Sequence, residues 1–208
     1  MPLLFRRPGL LAALGLVAAL AAFPAPAQAV RQHLDLSTMT ERAGTIVSGR
    51  ITELRSGAHP RYKNVGVLFI TVKVNEMIKG TPAQTFTFMQ FTGRAAQPSS
   101  GKPLSMARTL PHMPMYRVGE EVVLFLYPPS SVGFTSPVGG EQGKFIVRRS
   151  PGQPVTVVSD GGNGQLTVEG PLPAGLTPEQ QRMLRNPGNE LELNTFRGAV
   201  KRLVKPAR

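Results

Sequence analysis

The chain of 208 residues contains no cysteine. This absence excludes a disulfide framework, a thiolate metal site and a cysteine nucleophile. A domain without disulfides must be stabilised by its hydrophobic core. The residues that follow Ala29 are numerous enough for one domain with a sizeable core.

Groups suited to catalysis are also scarce, with three histidines and 12 acidic residues in the whole chain. His33, His59 and His112 lie in a predicted tail and two predicted loops, where histidine is usually solvated rather than positioned as a base. Glu120 and Glu121 are adjacent, so on a strand their side chains point to opposite faces and cannot act as a pair. The chain has no Gly-x-Ser-x-Gly elbow and no phosphate loop. The sequence therefore predicts a protein that is not an enzyme and has no cofactor.

Long apolar runs are absent, apart from one at the start of the chain. Two arginines precede an apolar run from Gly9 to Phe23, and an Ala-x-Ala sequence ends at Ala29. This order is typical of a cleaved signal peptide, and the run is shorter than the roughly 20 residues that span a bilayer. We expect cleavage near Ala29 and a periplasmic or secreted mature chain without a transmembrane anchor.

Positive charge is abundant: 24 Lys and Arg face 12 Asp and Glu, and the formal net charge is +12. Such an excess attracts anionic polymers over long range, although it also serves solubility. Nucleic acid is the usual partner of a basic protein, but export separates this chain from most nucleic acid. The expected partners are an unknown protein or an anionic component of the cell envelope.

The region after the leader is typical of a β-protein with short helices at its two ends. The segment "TIVSGRITEL" is rich in β-branched residues, and Gly49 in its middle indicates a bulge or bend. Apolar and polar residues alternate between Val65 and Met77, which predicts a long half-buried strand. The run from Glu120 to Pro128 is apolar on both faces and predicts a central strand. Asn194 is predicted to cap the last helix.

Strands of this length, separated by glycine and proline turns, favour a mainly β fold. We predict a small antiparallel OB-like barrel with short flanking helices. Three segments are expected: a signal peptide over residues 1–29, a β-barrel domain over residues 30–172, and a C-terminal helical segment with a basic tail over residues 173–208.

Four short stretches, "AGTIVSGRIT", "VNEMIKG", "RVGEEVVLFLYP" and "GGEQGKFIV", support a resemblance. In this order they resemble a group of exported bacterial proteins of unknown role, over residues 36–147 and the final helix. More remotely, the chain is similar to the OB-fold modules of netrins and tissue inhibitors of metalloproteinases. That resemblance implies a binding module, with a protease-inhibitor-like role as one alternative. The chain departs from the inhibitors because it lacks their N-terminal cysteine and disulfides.

Methionine and histidine cluster in the irregular segment from Gly93 to Arg117. Met106, His112, Met113 and Met115 provide thioether and imidazole groups, which suit Cu(I). A periplasmic Cu(I)-binding protein is therefore a second alternative. The methionines also suit a packing role under a proline-rich loop, because flexible thioethers fill irregular gaps.

The function that the sequence favours is an exported, non-catalytic binding module for a protein or an envelope polymer. Its contact regions are expected in two loops, Arg55–Asn64 and Gly93–Arg117, because irregular surface loops often bind partners. Phe86, Phe88 and Phe91 could form a stacking platform for an anionic glycan, although alternating aromatic residues also suit a core.

Overall fold

One antiparallel sheet organises the computed structural model, which describes residues 33–94, 113–163 and 166–204. Its strand order is β3-β2-β1-β4-β5-β6-β7. The strands are β1 (Thr45–Ala58), β2 (Val65–Lys79), β3 (Thr85–Arg94), β4 (Glu121–Leu126), β5 (Lys144–Arg148), β6 (Thr156–Ser159) and β7 (Leu191–Glu192). The predicted signal peptide lies outside the described residues.

Three short α-helices accompany the sheet. They are α1 (Leu36–Arg42), α2 (Pro178–Arg185) and α3 (Leu193–Leu203), and a 3₁₀ turn at Gly140–Gly143 precedes β5. No helix in the described ranges is both long and apolar enough to cross a bilayer.

The cap of α3 differs from the prediction. Glu192, rather than Asn194, is the capping residue, and its carboxylate accepts hydrogen bonds from the backbone N–H groups of Asn194 and Thr195 at 2.9 and 2.6 Å. Burial raises the pKa of Glu192, but these hydrogen bonds outweigh burial and lower the pKa overall. Glu192 is the cap rather than Asn194 because its carboxylate accepts hydrogen bonds from two otherwise unpaired N–H groups at the positive end of the helix dipole.

The long hairpin of β1 and β2 bends at Gly49, as predicted. The pairing register shifts between Ser48 and Gly49. A Cβ atom at position 49 would lie only 2.3 Å from the carbonyl oxygen of Lys73 on the facing strand. Glycine therefore permits the two backbones to approach closely where the hairpin curves.

The hydrophobic core lies on both faces of the sheet. On one face, the rings of Phe125, Phe145 and Phe196 pack with centroids 4.7–6.2 Å apart beneath the helices. A second cluster covers the opposite face and includes Ile70 and Val72 of β2. Strand β4 contributes to both clusters, which confirms the predicted central strand, and the inward side chains of β2 confirm its predicted alternation.

The mainly β class is confirmed, but the described strands do not close into a barrel. Strands β3 and β7 stand at opposite ends of the order, and closure requires the two end strands to pair. Strand β7 has two residues and already pairs with β6. On the other side, Phe134 forms a single parallel bridge to Met89 of β3. The predicted OB-like barrel is thus not observed among these strands.

The C-terminal residues belong to the same core as the sheet. Leu191 of β7 and Phe196 and Val200 of α3 are buried in the first cluster with Phe125 of β4. The described residues from His33 to Val204 form one compact unit.

Acidification should weaken this fold partly through Glu121. Arg149 donates two hydrogen bonds to the Glu121 carboxylate, at 2.7 and 2.9 Å, and these bonds hold the pKa of Glu121 below its ordinary value. Such a group stabilises the fold above its unfolded pKa, and its contribution is lost as pH falls through the folded pKa. We expect the free energy of unfolding to fall below about pH 4, and Glu121→Gln to reduce that fall. Urea unfolding at several pH values tests this, and an identical acid dependence in the variant would contradict it.

Candidate binding face

The hairpins β1–β2 and β2–β3 share a three-stranded surface that points away from the second core cluster and is exposed except at the buried Val67 and the partly buried Gly57, Phe69, Thr71 and Met89. Side chains alternate along a strand, so residues paired across the three strands share this side. We call it the outer face. Its rows, each in the order β1, β2, β3, are Glu53–Thr71–Thr87, Arg55–Phe69–Met89 and Gly57–Val67–Phe91.

An aromatic patch adjoins this face at the tip of the β1–β2 hairpin. We define it as Tyr62, Phe91 and Phe134 around His59. The His59 ring lies 5.1 Å from both Tyr62 and Phe134, and Phe134 lies 5.9 Å from Phe91. Tyr62 and Phe91 remain 44% and 40% exposed, although they belong to a packed group. Exposed rings held in fixed positions are typical of a contact surface.

His59 is the fixed centre of the aromatic patch. Its Nδ1 accepts hydrogen bonds from the backbone N–H groups of Arg61 and Tyr62, both at 3.1 Å. The ring therefore carries its proton on Nε2, which donates to the carbonyl oxygen of Val132 at 2.9 Å. The prediction of a solvated loop histidine is wrong, because His59 is 3% exposed. Both ring nitrogens are engaged with the backbone, so His59 shapes the loop rather than transferring protons.

Cations and hydroxyl groups lie on the outer face and in the turn that carries Tyr62. The Arg55 guanidinium lies 4.1 Å from the centroid of Phe69, and Arg61, Lys63 and Lys73 are exposed. The hydroxyl groups of Thr71 and Thr87 share a hydrogen bond of 3.0 Å. Glu53 is the one carboxylate in the three rows, and its nearest contact to Arg55 is 4.0 Å. The outer face thus combines flat apolar rings with an excess of positive charge.

Most acidic residues of the chain, including Glu53, form contacts within the fold. Six of the 12 form ion pairs in the described part of the chain, and two others cap helices. The ion-paired residues are Glu53, Glu76, Glu120, Glu121, Asp160 and Glu190. Each ion pair also neutralises a basic residue, so the positive character of the protein comes from the excess of 24 Lys and Arg over 12 Asp and Glu.

The two predicted contact loops have different outcomes. His59 and Tyr62 of the aromatic patch lie in the turn after β1, inside the first predicted region Arg55–Asn64, whereas Phe91 and Phe134 lie outside it. Most of the second region, Gly93–Arg117, lies outside the described residues.

The same limit applies to the predicted copper ligands. Met106 and His112 lie outside the described residues, Met113 is partly buried and Met115 is 62% exposed. The described ranges hold no group of three or more His, Asp or Glu side chains arranged for a metal ion. The Cu(I) site stays a prediction.

The predicted three-ring stacking platform is wrong. Phe86 and Phe88 pack 6.0 Å apart on the inner side of β3, where Phe88 is buried against Tyr116. Phe91 points to the outer face, because it lies three positions after Phe88 and successive side chains of a strand point to opposite faces. That spacing was visible in the sequence. The partners of Phe91 in the aromatic patch were not, because they come from distant segments.

A buried lysine, Lys144, is the centre of a group of polar contacts. Lys144 is 2% exposed, and its Nζ lies 2.9 Å from Glu120 Oε2 and 3.6 Å from Asp160 Oδ2. It also donates a hydrogen bond of 2.5 Å to the carbonyl oxygen of Met115. Burial raises the pKa of the neighbouring Tyr116, and the charges of Asp160 and Glu120 raise it further. Sequence reasoning missed this group, since a lysine that opens a strand is usually exposed.

Lys144 and its polar partners have a structural role. Lys144 joins the segment before β4, the start of β5 and the turn after β6, and a cavity of about 370 Å³ adjoins it. Glu120 points toward Lys144, whereas Glu121 points toward Arg149, so the predicted divergence of the two carboxylates is confirmed. With a neutral phenol and an ion-paired ammonium, the group is suited to holding the chain in place.

Comparisons with known proteins found no similar protein. No family model, no curated protein and no solved structure matches the chain. The resemblance to exported bacterial proteins and to netrin-like modules stays a prediction.

Proposed function

We propose that the protein is an exported, non-catalytic binding module that holds an anionic polysaccharide of the cell envelope on its outer face. One observation carries this proposal. Tyr62 and Phe91 present exposed rings that His59 and Phe134 hold in place, directly beside exposed cations.

The chemistry of the outer face fits an acidic sugar polymer. A sugar ring has an apolar face that can lie flat on an aromatic side chain, and its acidic groups pair with Arg and Lys. The threonine hydroxyls of β2 and β3 provide neutral hydrogen-bonding partners between the rings and Lys73. Because the rings are already packed, little conformational entropy is lost when the polymer binds.

The proposed OB-like barrel is compatible with this site. Its oligosaccharide ligands lie on the face of strands 2 and 3 and on the loops beside them. The outer face occupies the same strands, while the second cluster fills the inner side of β1–β4. The copper-carrier and protease-inhibitor alternatives depend on the sequence alone.

Removing either exposed ring should weaken polymer binding. We expect Tyr62→Ala and Phe91→Ala each to raise the dissociation constant for a fluorescent oligogalacturonate by roughly tenfold, because each loses one stacking contact. Fluorescence anisotropy measures this. Val118→Ala is the control, since Val118 is apolar and 62% exposed but lies outside the outer face. It should leave the constant unchanged.

Salt separates specific binding from charge attraction. Stacking is not screened by ions, so part of the affinity should survive at about 0.5 M NaCl, where the Debye length is only a few ångströms. Complete loss of binding in salt, together with unchanged constants for both ring variants, would contradict the proposal. Equal affinity for neutral dextran would contradict the role of the cations.

A further inference from the structure

A cleft of about 880 Å³ lies between α2 and the chain that precedes it, and none of its lining residues belongs to the outer face. The chain from Leu172 to Gly175 forms one wall, and Gln181, Arg182 and Arg185 of α2 form the other. We call it the arginine cleft. Leu184, between the two arginines, is buried in the first core cluster, so α2 is anchored while its arginines face the cleft.

Arg185 is held in a fixed position at the cleft. Its Nη1 donates hydrogen bonds to the carbonyl oxygens of Val168 and Glu169 at 2.6 and 2.9 Å. Its Nε and Nη2 have no acceptor among the described residues and remain available. A guanidinium held through one nitrogen can present its other donors to a ligand without losing further side-chain freedom.

A third guanidinium lies beside one wall of the cleft, although it does not line the cleft itself. Arg202 of α3 lies against Gly175, since a Cβ atom at position 175 would be 3.6 Å from Arg202 Nη1. Gly175 has a φ of 79°, a conformation that glycine adopts without strain. The glycine thus lets Arg202 approach the wall of the cleft.

The charge of the arginine cleft is not balanced by the described part of the fold. No carboxylate lines the cleft, and Arg182 and Arg202 form no ion pair within the described ranges. The arginines near the sheet differ, because Arg148 and Arg149 each pair with a glutamate. Arg182 and Arg185 lie in the last turn of α2, three residues apart, so their side chains are neighbours and their positive charges add at the cleft.

From this arrangement we propose that the arginine cleft binds a phosphate group. The planar guanidinium matches two phosphate oxygens at once. Two of these groups line the cleft from α2, and that of Arg202 lies beside its wall at Gly175. The phosphate can belong to a soluble phosphate ester or to a phospholipid headgroup. The inference is independent of the outer face.

Calorimetric titration with glycerol 3-phosphate tests the site. The double variant Arg182→Gln/Arg202→Gln removes two cations and spares Arg185, whose hydrogen bonds support the chain at Val168. We expect it to weaken phosphate binding at least about tenfold, because charge-assisted hydrogen bonds are lost. The control Arg42→Gln/Arg117→Gln removes the same charge at two exposed positions outside the cleft. It should change the affinity less than about twofold.

The outcomes separate the possible sources of binding. Equal weakening in the two double variants would show attraction to net charge alone and would overturn the proposal, as would the absence of binding by the wild type. Co-sedimentation with phosphatidylglycerol vesicles then identifies the phosphate source. Vesicle binding that the cleft variant loses indicates a lipid headgroup, whereas ester binding without vesicle binding indicates a soluble ester. Urea unfolding of both variants confirms that they fold, and Phe91→Ala should leave phosphate binding unchanged.

Discussion

Replacing Lys144 with methionine is expected to lower the free energy of unfolding by about 3 kcal/mol. Methionine keeps most of the side-chain length, so the change removes the charge and little of the packing. Glu120 and Asp160 then lose their buried cation, and the carbonyl oxygen of Met115 loses its donor. We place the effect at the lower end of the usual range because both carboxylates keep some contact with water.

Urea unfolding followed by circular dichroism measures this loss. Lys73→Met is the matched control, because Lys73 is an exposed lysine on a strand and should change stability by less than about 0.5 kcal/mol. The double variant Lys144→Met/Glu120→Gln should recover part of the loss, since the neutral amide no longer needs a cation. A Lys144→Met protein as stable as the wild type would show that the ion pairs do not stabilise the fold.

The substitution Gly49→Ala, which adds one methyl group, is expected to lower the free energy of unfolding by about 3 kcal/mol. The new Cβ would lie 2.3 Å from the carbonyl oxygen of Lys73 and 2.7 Å from a methyl carbon of Val72. The nearest atom belongs to the backbone of the facing strand, which cannot move without disturbing the pairing of β1 with β2. Overpacking at such a place forces a backbone shift and weakens the sheet.

The same strand contains the control. A Cβ at Gly57 would have no neighbour closer than 3.9 Å. Gly57→Ala should therefore leave stability unchanged or raise it by up to about 1 kcal/mol, because alanine has fewer conformations in the unfolded chain. Equal effects of Gly49→Ala and Gly57→Ala would contradict the close approach of the two backbones at the bend.

The proposed sites depend on parts of the fold that these two predictions probe. The bend at Gly49 lies within the β1–β2 hairpin whose outer side forms the binding face. Lys144 holds the segment that carries Met115, on the inner side of the sheet. Ligand affinity and stability should therefore respond to different substitutions. Tyr62→Ala and Phe91→Ala should change the affinity at exposed positions, whereas Lys144→Met should lower the free energy of unfolding.

The sequence predicts only part of the aromatic patch and none of the arginine cleft. The turn after β1 was predicted as a contact region because it is irregular, and His59 and Tyr62 of the aromatic patch lie there. The patch itself needs Phe91 from β3 and Phe134 from the chain after β4, and nothing local brings these rings to Tyr62. The arginine cleft likewise depends on a tertiary contact, because Arg202 of α3 lies beside Gly175, a wall residue that precedes α2.

The sequence by itself determined the features that depend on neighbouring residues. Alternation along β2, the two-sided burial of β4, the bend at Gly49 and the divergence of Glu120 from Glu121 all follow from strand geometry, in which successive side chains point to opposite faces. Tertiary structure decided which face each strand buries, that Lys144 lies inside, and that the described strands leave the sheet open. These outcomes depend on pairing between segments far apart in the chain, and the free energy of a buried charge or an exposed ring is set by the partners that pairing provides.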